Sequence, residues 1–178
     1  MQKALSRNPL IRISSKAFKK MNYYVRLSPF PNEIGWLGTV QKNGNCYFIG
    51  DVFLFEQKVR PGFFKFLPGS IAKFATDLIK QGDKDIVNSL FFWGHLHLGN
   101  TFPSLRDEQQ MAAFSDNDFM IRGIADRRGR LEFSIFDYKT GRVFYGVPWE
   151  IWDPGDEELK AEIKKEIKEK IHPVRRRR

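Results

Sequence analysis

The sequence predicts an α/β protein, a single mixed-sheet domain with flanking helices, and three observations carry that expectation. Short apolar runs bounded by turn residues recur along the chain, a few stretches carry helical spacing instead, and those stretches fall between groups of strands. At 178 residues, 42% of them hydrophobic and 15% aromatic, the chain is long enough to bury a core of its own.

The elements follow from punctuation and period. After a basic leader over residues 1–22, Tyr23 to Leu27 and Ile34 to Val40 read as strands, the second interrupted by Gly35 and Gly38. Lys42-Asn43-Gly44-Asn45 is a hairpin turn, and Cys46 to Glu56 the return strand. Arg60 to Gly69, rich in Gly, Pro and Phe, reads as a loop. From Ser70 to Gln81 the residues Ile71, Phe74, Ala75, Leu78 and Ile79 share one side of a helix, with Ser70 as N-cap. Leu90 to Leu98 is an apolar run bounded by Asn88-Ser89 and Gly99-Asn100, the pattern of a buried strand. Ser104 to Phe114 opens as a helix, with Ser104 as N-cap and Asp107 at the capping-box position. Three strands follow, Phe119 to Asp126, Leu131 to Tyr138 and Val143 to Pro148, separated by Gly-containing turns. Asp156 to Ile171 is a charged helix with Leu159, Ile163, Ile167 and Ile171 at i+4 spacing, and an arginine tail completes residues 154–178. Its apolar stripe suits docking on the domain over residues 23–153, or a partner helix.

Chemistry concentrates in one place. His95 and His97 are two of only three histidines, and period 2 puts both imidazoles on the same strand face as Trp93. Ten residues beyond His97, Asp107 offers a carboxylate. Two imidazoles and one carboxylate with an open fourth position form the ligand set of a catalytic zinc. Ser104 and Asp107 also satisfy a plain helix cap, and each histidine alone would satisfy a hydrogen-bonded strand. Hydrolysis at such a metal needs a group to move protons. Glu33, the first acidic residue of the chain, stands in an otherwise apolar segment where a carboxylate is costly unless it is paired or useful.

Glu33 followed by His95-Leu96-His97, Ser104 and Asp107 resembles the motif of the JAMM (JAB1/MPN) metalloproteases, nearest to the compact prokaryotic and phage JAB-domain type, over about Tyr24 to Asp153. Six residues separate His97 from Ser104 where the family usually has seven, and a tighter turn at Gly99-Asn100 absorbs the difference. The resemblance implies a JAB/MPN-like fold with cytidine-deaminase-like layering. It also implies a Zn2+ bound by His95, His97 and Asp107, with Glu33 as general acid/base and Ser104 as oxyanion donor. The implied activity is a peptidase or isopeptidase acting on the extended C-terminal tail of a ubiquitin-like or sulfur-carrier protein. Phe63 to Leu67 would then clamp substrate or simply pack, and a free strand edge near the site would suit a tail bound by strand addition.

Composition bounds the alternatives. No run approaches 18 apolar residues and no signal-peptide pattern opens the chain, so the expected location is cytoplasmic, without a membrane partner. The single Cys46 excludes an internal disulfide, fits a reducing compartment, and sits as a strand residue rather than a nucleophile. The formal charge of +9 is concentrated at the ends, in Lys3 to Arg26 and Arg175 to Arg178. Such ends permit weak nucleic-acid contact, the basis of a second expectation in which the chain is a JAB-like scaffold or binding module.

Overall fold

The computed structural model describes residues 8–152 and 160–174. Leu10–Ile13 (β1) leads into helix α1, Ser15–Leu27, whose first turn is closed by the Ser14 hydroxyl accepting from the Ala17 N–H at 3.0 Å. Then come β2 (Gly35–Asn43), β3 (Cys46–Leu54), β4 (Gln57–Arg60), β5 (Phe63–Phe66), α2 (Ser70–Gln81) and the short α3 (Lys84–Asn88). After them follow β6 (Phe92–His97), α4 (Leu105–Ala112), β7 (Phe119–Asp126), β8 (Leu131–Asp137), β9 (Arg142–Phe144), β10 (Trp149–Ile151), α5 (Lys160–Lys170) and β11 (Ile171–Pro173).

Eight strands form one mixed sheet in the order β10-β1-β3-β2-β6-β7-β8-β9, and a second sheet runs β11-β4-β5. The architecture is mixed α/β, as the patterning predicts. Both faces of the large sheet are covered, which is why Phe119–Asp126 is buried at every position. Period-2 alternation sorts the strands between two cores. Trp36, Phe92, Leu96, Ile121 and Phe133 face α1, while Leu37, Trp93, Met120 and Phe136 face the other way, toward Met111 of α4. Gly94 lies on the first face because Trp36 crosses it so closely that any β-carbon would collide with the indole.

Several expectations are corrected. Tyr23 to Leu27 is not a strand but the end of α1. The β-favouring Tyr23, Tyr24 and Val25 are overridden by a helical stripe, with Ala17, Met21, Tyr24 and Val25 all buried against the sheet. From Leu10 onward the expected leader is therefore built into the domain as β1 and most of α1. Glu33 lies in the loop before β2 rather than on the strand. The N-cap of α2 is Gly69, at φ +81°, a left-handed approach that glycine adopts cheaply, and Ser70 is the first helical residue. The expected loop at residues 60–69 contains the β5 half of a hairpin. Val143 to Pro148 does not form one strand, since Gly146 at φ +60° separates β9 from β10 at opposite edges of the sheet.

The stripe of α5 docks on the domain. Ile163 and Ile167 are buried, and Glu166 accepts from the Tyr24 hydroxyl at 2.9 Å, while Ile171, expected on the helix, is instead the buried first residue of β11. Leu159, the acidic turn Asp156 to Glu158, Lys3, Arg7 and the arginine tail lie outside the described residues. No described helix is long and apolar enough to cross a membrane.

Candidate metal centre

β6 runs between β2 and β7, antiparallel to the first and parallel to the second, so its end is fixed from both sides. His95 and His97 leave that end on the face of Trp93, as the alternation predicts. Helix α4 brings Asp107 against them. His95 Nε2 lies 3.1 Å from Asp107 Oδ1, His97 Nε2 lies 3.3 Å from Oδ2, and the two Nε2 atoms are 2.9 Å apart. The three side chains could hold a metal ion. His95 is buried, 1% exposed at its side chain against 14% for His97, so access is from the His97 side.

The local capping chemistry aims Asp107. Its Oδ2 accepts from the Ser104 N–H at 2.6 Å and the Ser104 hydroxyl at 2.8 Å, while the Ser104 oxygen accepts in return from the Asp107 N–H at 3.3 Å. This capping box fixes the carboxylate rotamer that meets the imidazoles. Behind α4, the buried Arg122 guanidinium donates to Glu108 Oε1 at 2.8 Å and ties the helix to β7.

Burial pushes the Asp107 carboxyl up, but hydrogen bonds from His95 and His97, the charge of His95 and the Ser104 amide outweigh it, leaving the group well below the carboxylate range. Burial holds His95 below its usual value despite Asp107. At His97 burial also pulls down, yet the hydrogen bond and charge of Asp107, with Glu33 nearby, raise it. His95 Nδ1 has no hydrogen-bond partner among the described residues. An imidazole at Nε2 would be better held with that atom paired.

Glu33 faces the same cavity as His97, Ser104 and Asp107. Burial raises its pKa, the His97 charge opposes this, Asp107 adds to it and Arg106 lowers it. Glu33, His97, Ser104 and Asp107 thus line one cavity, with His95 buried behind it against Asp107, and Ser104 spends its hydroxyl on Asp107.

Two residues that support Glu33 have no signal in the sequence. Arg127, just beyond β7, donates to the carbonyls of Val25 and Asn32 at 3.1 and 3.3 Å and to the Ser28 hydroxyl at 3.2 Å, clamping the loop that ends at Glu33. Gln57, fully buried, accepts from the Gly35 N–H at 2.8 Å and donates to the Gly35 and Phe55 carbonyls at 2.8 and 3.0 Å. Gly35 pairs with His95 in a position where the adjacent bond runs from Leu96 N–H to the Ile34 carbonyl, so its own amide groups turn away from β6. The Gln57 amide replaces the missing neighbouring strand.

No protein-family model matches the chain, and no curated protein is detectably similar to it.

Proposed function

We propose that this chain is a zinc-dependent peptidase or isopeptidase acting on an extended polypeptide tail, with the tail of a ubiquitin-like or sulfur-carrier protein as the substrate class the sequence resemblance implies. The observation that carries the reading is the convergence of His95, His97 and Asp107, the last two at the wall of a cavity that Glu33 also lines.

The donor set fits zinc. Tetrahedral ligands at 2.0–2.1 Å from zinc are about 3.3 Å apart; the two imidazole Nε2 atoms lie 2.9 Å apart, and each lies 3.1 or 3.3 Å from a different oxygen of the Asp107 carboxylate. Bound there, zinc supplies Lewis-acid activation of water and of the scissile carbonyl. Asp107 enters this chemistry already ionised, because its hydrogen bonds oppose protonation. Glu33 takes the proton of the attacking water and hands it to the leaving nitrogen, and its raised pKa suits a group that must both accept and release. Ser104 is the oxyanion donor once its hydroxyl turns from Asp107 Oδ2.

The test is zinc stoichiometry measured beside hydrolysis of a panel of ubiquitin-like fusions. Asp107→Asn and His97→Ala should lose zinc. Glu33→Gln should keep it and lose turnover by about 10²–10⁴-fold. Wild-type turnover in Glu33→Gln would overturn the assigned role, and zinc binding without hydrolysis of any fusion would leave a binding module instead.

A further inference from the structure

The cavity beside the three ligands has a volume of about 860 Å³. One metal-bound water needs far less, since its share of liquid volume is about 30 Å³. Beyond Glu33 and His97 the walls turn apolar, with Leu37, Phe64, Phe66, Ile71, Trp93 and Phe114. Leu37 and Trp93 are buried, while the other four remain half-exposed. Helix α2 packs Ile71 and Phe74 against the second core and yet buries none of its residues fully, so this part of the core stays half-open, with Ile71 on the cavity wall.

We infer that this cavity is a specificity subsite for a bulky apolar side chain, Phe or Leu in class, carried by an extended polypeptide next to the bond at the metal centre. The inference rests on the hydrolase reading and narrows its substrate from any flexible tail to one bearing such a residue. Two features select a polypeptide over a small apolar molecule. First, the cavity wall is β5, the terminal strand of its sheet, whose outer edge pairs with no strand among the described residues. An extended backbone can therefore satisfy its amides there while alternate side chains enter the cavity. Second, the rim is cationic. Arg60 and Arg106 both stack on Phe63, Lys65 and Arg106 line the cavity, and none of the three has a carboxylate within ion-pair distance among the described residues. A backbone with an acidic flank complements that charge.

The test uses the full zinc-loaded chain and fluorescein-labelled octapeptides on a Gly-Ser-Glu background, with Phe, Leu or Gly walked through each position. Anisotropy with the Glu33→Gln protein reads binding without turnover. Peptides with Phe or Leu at one preferred position should bind about 10- to 100-fold more tightly than the Gly series. Gln110→Trp, at an exposed α4 position on the cavity wall, should fill the subsite and reduce that preference to less than about threefold while leaving the urea midpoint in place. Equal affinity of the three series, no measurable binding, or an undiminished preference in Gln110→Trp would each overturn the subsite. Failure of the hydrolase reading looks different, because a chain that prefers Phe and Leu but cleaves no peptide keeps the subsite and loses the reaction.

Discussion

Gln57→Met tests how the site is built, because methionine keeps the length of the side chain and removes only its amide. The change strips partners from three backbone groups at once, the Gly35 N–H, the Gly35 carbonyl and the Phe55 carbonyl. Each unsatisfied buried group costs about 1–3 kcal/mol. The three are neighbours and relax together, so their sum is about 3–5 kcal/mol rather than the arithmetic maximum. With a urea slope of about 2 kcal/mol/M, the unfolding midpoint should fall by about 1.5–2.5 M. Metal affinity should fall with it, since Gly35 pairs directly with His95 and stands two residues from Glu33. Equilibrium urea unfolding and zinc titration read the two effects. A midpoint lowered by less than about 0.5 M, which is about 1 kcal/mol at that slope, would refute the view that this amide substitutes for a strand.

Arg127→Met should leave zinc stoichiometry intact and lower turnover on the fusion panel by at least about tenfold, because the clamp holds the Glu33 loop and touches no ligand; a loss of zinc with unchanged turnover per bound zinc would contradict it. Ser104→Ala removes the α4 cap and one bond to Asp107, which should cost about 1 kcal/mol of stability and weaken zinc about 10- to 100-fold, as titration against a chelator would show. The raised pKa of His97 sets a pH dependence, since its protonated ring cannot bind zinc. Zinc affinity should therefore fall as pH drops through that raised value and recover above it. In the metal-free chain the sign is opposite, with the His97 contribution to stability present below the unfolded value near 6.5 and lost as pH rises through the folded pKa. Zinc titrations and urea midpoints from pH 5.5 to 8.5, roughly a unit or more either side of an ordinary histidine, would expose a flat response in either quantity.

The sequence by itself determined whatever short-range periodicity can express. Alternation put His95 and His97 on one face, and the spacing of Ser104 and Asp107 made a capping box that also orients a carboxylate. The turns at Gly44, Gly129 and Gly141 and the bounds of α2 were legible for the same reason, since neighbours within a few residues decide them. Tertiary structure decided the rest. Tyr23 to Leu27 became helix because the face it shares with Ala17 and Met21 found a sheet to cover. Glu33 reached the cavity because Arg127, roughly a hundred residues away, donates to the loop before it. Residues 63–66 became a strand by pairing with Gln57–Arg60, and Gln57 became a backbone surrogate only once β2 and β6 were side by side. Local pattern fixes which way a side chain points along its own element. Which elements then lie opposite is settled by burial and hydrogen-bond satisfaction across the assembled fold, and no window of sequence contains both partners.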